Sequence, residues 1–182
     1  MKNILKVVYQ PDTNITSDIV FIHGLGGGPE STWLHERNQR FWPSGLQNFF
    51  PASRVLTYGY AADFATFFPS PSDANSRTDI KQHATVLLHA LVELREASKT
   101  DSKAIVFIAH SLGGLICANA LVNSDSEYSN IIRNTRGLIF MGTPFGAPNE
   151  DDTTVWTEIA ERFLTLYETG NEDAHFELDK RV

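Results

Sequence analysis

Ala104-Ile105-Val106-Phe107-Ile108-Ala109-His110-Ser111-Leu112-Gly113-Gly114 carries an apolar run of strand length straight into a second apolar stretch, Leu112 to Val122. A strand without polar alternation is one buried on both faces, as in a parallel sheet covered by helices on either side. The stretch from Leu112 to Val122 is apolar nearly all round, which predicts a helix buried against that sheet.

The same pairing recurs outward in both directions. Ile19-Val20-Phe21-Ile22 is a second continuous strand, broken by Gly24 to Pro29. Ile4 to Tyr9 alternates enough for an edge strand and is closed by Pro11-Asp12. Residues 42–50 predict a short helix before Pro51, Arg54 to Tyr58 the next strand, and Gly137 to Gly142 a further one ended by Thr143-Pro144. Between Asp79 and Ser98, Ile80, Ala84, Leu87, Leu88, Leu91 and Leu94 recur at three- and four-residue steps, the period of an amphipathic helix. A last helix is predicted over Val155 to Tyr167, with Gly170 as its stop. Strands alternating with helices specify an α/β fold, a mostly parallel sheet with helices on both faces. Residues 59–77 match neither period and are read as a long surface loop, either a lid over a site or a plain connection.

Composition bounds the partners. A chain of 182 residues, 42% hydrophobic and 20% charged, has the profile of one compact domain spanning 1–182, burying roughly 70% of its unfolded surface. The single cysteine, Cys117, excludes an internal disulfide and any multi-cysteine zinc site, and points to a reducing, cytoplasmic setting. No apolar run approaches the ~20 residues of a membrane span. The formal net charge of −7 disfavours a nucleic-acid partner, because phosphate binding needs clustered Lys and Arg. Residues 1–149 hold 12 acidic and 12 basic side chains, whereas 150–182 hold 10 acidic and 3 basic. The excess lies in the C-terminal fifth, either as a solvated helix face or as a surface for a charged partner.

Ser111 stands where the strand turns into the helix, the setting of a nucleophile elbow. A serine on so sharp a turn has its Oγ exposed above the sheet, and the turn demands small residues two before and two after it. Ala109 and Gly113 meet that demand, although glycine is usual at the first position. The helix N-terminus favours developing negative charge, and the Leu112 N–H is a candidate oxyanion donor. A second donor is expected from the glycine loop His23-Gly24-Leu25-Gly26-Gly27-Gly28-Pro29, at the N–H of Leu25. Proline at 29 rules out a dinucleotide fingerprint, and no Gly-Lys-Ser or Gly-Lys-Thr makes a P-loop. His23 and His35 have no carboxylate or cysteine at metal-ligand spacing, so neither metal nor cofactor is expected. Trp33, Phe41, Trp42, Phe49 and Phe50 are read as core or as the lining of an acyl pocket.

Together His23-Gly24-Leu25-Gly26-Gly27, Thr32-Trp33, Phe41-Trp42-Pro43, Arg54 to Tyr60, Ala109 to Leu115 and Gly142-Thr143-Pro144 resemble the α/β-hydrolase superfamily. They are most similar to its lipase-like branch, found in serine-active-site-containing proteins and at the N-terminus of fungal NACHT-type receptors. The resemblance covers about residues 18–148. It implies a serine esterase that cleaves a carboxylic ester or lipid through an acyl-enzyme on Ser111, and a mitochondrial or endoplasmic-reticulum membrane association beside the cytoplasmic one. Position 145 is Phe where that branch often has His.

A serine nucleophile needs a histidine to take its proton and an acid to orient that histidine, in the order Ser, acid, His for this superfamily. The sole histidine after Ser111 is His175, the candidate base, with Asp151 or Asp152 as candidate acid. The resemblance also implies that the chain stops before the last two strands. An exposed sheet edge, self-association and a catalytically incomplete module serving in signalling or protein assembly, through a protein partner or peripheral membrane contact, form the alternative reading.

Overall fold

The structure, a computed structural model, describes residues 4–12, 14–35, 37–63, 80–122 and 125–145. Seven strands fall in them: β1 (Ile4–Tyr9), β2 (Ser17–Ile22), β3 (Leu34–His35), β4 (Arg40–Phe41), β5 (Ser53–Gly59), β6 (Ala104–His110) and β7 (Thr135–Met141). The helices are α1 (Trp42–Gly45), α2 (Ile80–Ala97), α3 (Leu112–Val122) and α4 (Ser129–Asn134). Five strands form one sheet in the order β1-β5-β2-β6-β7, with β1 antiparallel to β5 and the other pairs parallel. The expected mostly parallel α/β sheet is what forms. The described residues belong to one compact unit that runs to Phe145. Most of the 59–77 loop, the helix expected over Val155 to Tyr167 and the acidic C-terminal fifth lie outside the described residues.

Burial follows strand position. All seven residues of β5 are buried, as are five of six in β2, which is why those segments are continuous apolar runs. At the edge of the sheet β1 is only partly covered: Ile4, Lys6 and Val7 are exposed and Leu5, Val8 and Tyr9 half-buried. β7 closes the other edge among the described residues, with Leu138, Ile139 and Met141 exposed.

Each face of the sheet has its own core. One face presents Val20, Ile22, Leu56, Tyr58, Ile105 and Phe107 to Leu87, Leu88 and Leu91 of α2 and Ile116 of α3. The opposite face presents Ile19, Phe21, Val55 and Ile108 to Trp33. Trp33 and Trp42 meet the Phe21 ring edge-on, with centroids 5.0 and 4.8 Å away, the arrangement aromatic quadrupoles favour. Trp33, Phe41 and Trp42 therefore pack with the core. Phe49 and Phe50, 74% and 51% exposed, belong to neither core.

The lower ends of the strands are pinned by charge. Asp18 at the start of β2 accepts from Arg54 Nε of β5 at 2.7 Å and from Arg95 Nη1 of α2, all three side chains being buried. Further guanidinium donors reach Ser98, Thr100 and the carbonyls of Asp101 and Lys103. Buried charge is tolerable only when paired and hydrogen-bonded in this way. This cluster lies at the end of the sheet opposite Ser111.

Candidate active site

Ile22, the last residue of β2, stands beside Ala109 of β6 in the parallel register. The chain leaving β2 at His23-Gly24 and the chain leaving β6 at Ser111 therefore emerge side by side at the carboxyl ends of the strands. β2 has β5 on one side and β6 on the other, so this crevice is the switch point of the sheet, where open α/β folds bind ligands.

Ser111 occupies the strand-to-helix turn with φ +50, a left-handed conformation that a residue with a Cβ adopts only under constraint. Its N–H donates to the Met141 carbonyl at 2.9 Å, extending the β6–β7 pairing one residue into the turn. Gly113 has no room for a side chain: a Cβ there would stand 2.6 Å from the Ile22 carbonyl oxygen. Ala109 is fully buried. Small residues two before and two after Ser111 are thus what lets α3 start directly on top of β2 and β6.

Gly24 faces Ser111. A Cβ at Gly24 would meet the Ser111 Cβ at 2.7 Å and His110 Nδ1 at 3.0 Å. Ser111 itself is 9% exposed, so whatever reaches it does so through this narrow opening. Around the opening the N–H groups of Ser111, Gly26, Gly27 and Gly28 are all engaged: with Met141 O, Ala62 O, Gly24 O and Thr32 Oγ1. Among the described residues those of Gly24 and Gly113 show no such bond, and the N–H groups of Leu25 and Leu112 take no hydrogen bond either. Leu25 and Leu112 are the two donors singled out from the sequence.

His23 holds the loop that carries Leu25. It is fully buried, stacked on Tyr60 with centroids 4.3 Å apart. Its Nδ1 lies 2.9 Å from the Gly24 carbonyl, which can only accept, so Nδ1 carries the proton; Nε2 then accepts from the Tyr60 N–H at 3.3 Å. Tyr60 Oη closes the clamp by donating to the His23 carbonyl at 2.8 Å. Both ring nitrogens are occupied, so His23 positions the loop and takes no proton from Ser111. Burial, above all, holds its pKa below the usual histidine value, helped by His83 and His110 and opposed by the bond to Gly24.

His110 packs edge-on against Trp33 at 6.3 Å, and burial of its ring lowers its pKa. Cys117 sits inside α3 with its thiol pushed up to about 12 by burial, which removes it as a nucleophile. Among the described residues no group of three or more His, Cys, Asp or Glu is placed to hold a metal ion. No described helix is long and apolar enough to cross a membrane. His175, Asp151 and Asp152 lie outside the described residues. Tyr60, Met141 and Thr143 were not singled out as site residues; Gly142, directly after β7, reverses the chain at φ +60.

A family model described as the alpha/beta hydrolase family matches residues 19–180. The chain belongs to the alpha/beta hydrolase family. Among curated proteins this hydrolase-family chain is similar to Protein SERAC1 of Bos taurus, 30% identical over 159 residues, and of Homo sapiens, 27% identical over 160 residues. Each match covers 78% of this chain and 23% of the relative, so the chain spans less than a quarter of their length. Among solved structures, the mature Bacillus licheniformis lipase BlEst2 matches with a TM-score of 0.52 at 18% identity, over 78% of this chain and 47% of that chain. MenH from S. aureus matches with a TM-score of 0.54 at 16% identity, over 93% and 53%. The structural likenesses show the fold, and the family bears out the resemblance drawn from the glycine loop and the Ser111 segment.

Proposed function

We propose that this alpha/beta hydrolase cleaves a carboxylic ester, a lipid or an acylated small molecule, through an acyl-enzyme formed on Ser111. One observation carries the reading: the strained turn at Ser111 faces Gly24, and the Leu25 and Leu112 N–H groups at that opening take no hydrogen bond. In the reaction Ser111 Oγ gives its proton to the base and attacks the ester carbonyl carbon, and the carbonyl oxygen becomes an oxyanion between those two N–H groups. Such donors, fixed before the reaction, stabilise charge where it develops, and loss of one typically costs ~10²–10³ in turnover. The alcohol leaves with a proton delivered by the base. Water, activated by the same base, then releases the acid and restores Ser111.

His175, which follows Ser111 in the chain order of this family, is the base in this reading, and His23 is fully engaged elsewhere. Asp151 or Asp152 orients it. The whole of residues 1–182 acts as one domain, a reading that the family match over 19–180 supports.

Hydrolysis of short-chain aryl esters by the 182-residue chain is the test. Turnover that disappears in Ser111→Ala and falls steeply in His175→Ala is expected. Turnover that survives Ser111→Ala would overturn the acyl-enzyme. If the folded chain turns over no ester, the alternative gains: a hydrolase-like module serving in signalling or assembly, for which the exposed Leu138, Ile139 and Met141 edge offers a contact surface and an expectation of self-association.

A further inference from the structure

Thr143 sits in the notch left by Gly114. A Cβ at Gly114 would stand 2.7 Å from the Thr143 Cβ, 2.5 Å from Cγ2 and closer still to Oγ1. The missing side chain of the helix is thus replaced by a threonine from the segment after β7. The path of that segment explains how it arrives there. Met141 ends β7 and gives its carbonyl to the Ser111 N–H. Gly142 then reverses the chain at φ +60, a conformation glycine adopts without a Cβ penalty. Thr143 lands on the first turn of α3, whose Gly114 N–H donates to the Ser111 carbonyl at 3.0 Å. Beyond it the Phe145 N–H returns to the Thr143 carbonyl at 2.9 Å, and the Phe145 ring packs edge-on against Phe140 at 4.9 Å.

The Thr143 hydroxyl itself is buried and makes no hydrogen bond. An unpaired buried hydroxyl contributes no polar contact of its own and costs free energy by its burial. What the side chain supplies is therefore its branched shape. Both carbonyl and N–H of Ser111 are gripped by this arrangement: the N–H by Met141, the carbonyl by the turn of α3 that Thr143 presses on. A left-handed serine does not hold itself, so the constraint must come from its surroundings.

We infer that Thr143 is a positioning residue, a steric wedge that locks the Ser111 turn by filling the Gly114 notch and so keeping Met141 O on the Ser111 N–H. The inference rests on the reading of Ser111 as nucleophile. It adds to that reading a residue from a third segment of the chain, 32 positions downstream of Ser111 and outside both loops that form the opening.

A double-mutant cycle tests it, scored by the rate at which a fluorophosphonate labels Ser111 and by the thermal midpoint. Thr143→Gly removes the wedge and lowers the labelling rate ~10-fold or more, the scale on which small misplacements of a reacting group act. Gly114→Ala drives the wedge out and lowers the rate at least as far. Combined, Gly114→Ala with Thr143→Gly labels ~10-fold faster than Gly114→Ala alone, since side chain and notch have exchanged places and the pair is coupled. Thr143→Val keeps the branched outline, removes a buried hydroxyl that has no partner, and retains the rate to within ~3-fold, where a bond made by the hydroxyl would be lost. Should Thr143→Gly fail to fold, Thr143→Ala reports the same rate with a smaller loss of packing. A folded Thr143→Gly or Thr143→Ala that labels at the parent rate overturns the inference, as does a combined variant no faster than Gly114→Ala. If the folded parent chain takes no label, the nucleophile reading fails instead, and the wedge is then judged on thermal midpoints: it stands when the combined variant regains what Gly114→Ala lost, and falls when it does not.

Discussion

Gly24 and Ser111 are in direct van der Waals opposition across the crevice: a Cβ on Gly24 would come within 2.7 Å of the Ser111 Cβ. The glycine is required by space rather than by a left-handed backbone, since its φ is not among the positive ones. Gly24→Ala is therefore expected to displace Ser111 or the Leu25 N–H and to reduce fluorophosphonate labelling by ~10²-fold. Circular dichroism should show the fold retained. Labelling at the parent rate in this variant would contradict the opposed geometry.

Gly113→Ala acts on folding. Its Cβ would meet the Ile22 carbonyl oxygen at 2.6 Å and the Ile22 carbonyl carbon at 2.9 Å, and backbone atoms inside a sheet cannot step aside as a side chain can. Overpacking of this kind costs about 1–3 kcal/mol, or more where backbone must move. Urea denaturation should report that loss. An unchanged midpoint would mean that α3 does not start where the structure puts it.

Asp18 carries two guanidinium partners in a buried site. Asp18→Ala leaves Arg54 and Arg95 buried without their counter-charge, and removal of one partner from a buried ion cluster costs about 3–5 kcal/mol. The cluster lies at the far end of the sheet from Ser111, so any protein that remains folded should label at the parent rate. Chemical denaturation and labelling, measured on the same sample, check the two halves of this expectation.

The depressed pKa of His23 makes stability depend on acid. Folded, the ring stays neutral below its unfolded value of 6.5, while the unfolded chain takes up a proton there. The contribution is thus fully present above about pH 6.5 and is lost as pH falls from that value through the lower folded one. His23→Phe keeps the stack on Tyr60 but cannot titrate. It should be less stable at pH 7.5, having lost the bonds to Gly24 and Tyr60, and should lose less on acidification to pH 5. Equal pH slopes for both proteins would contradict the buried, neutral clamp.

Much of the fold was legible because it rests on local pattern. The continuous runs at 19–22 and 104–109 were strands buried on both faces, the three- and four-residue steps of Ile80 to Leu94 were α2, and the all-round apolar stretch from Leu112 to Val122 was α3. The two-residue strands β3 and β4 and the short α4 carry too few residues to show a period. The exposure of Phe49 and Phe50 could not be read from their hydrophobicity, which favours burial. Of the proposed site, the placing of Ser111 on the turn and of Leu25 and Leu112 beside it was readable from a strand-turn-helix context and a glycine loop. The Met141 carbonyl and the Thr143 wedge were not, because each depends on a contact between segments about thirty residues apart that leaves no mark on local sequence. Tyr60 escaped for the same reason: its role exists only once β5 lies beside β2.

The central claim is that Ser111 is an activated nucleophile between two amide donors, and covalent capture reads it most directly. The 182-residue chain is incubated with a fluorophosphonate and digested, and the adduct is located by mass spectrometry. One phosphonyl group on the peptide containing Ser111, absent from Ser111→Ala, is the expected result. A folded parent chain that acquires no adduct, or one that Ser111→Ala acquires equally, would contradict the account.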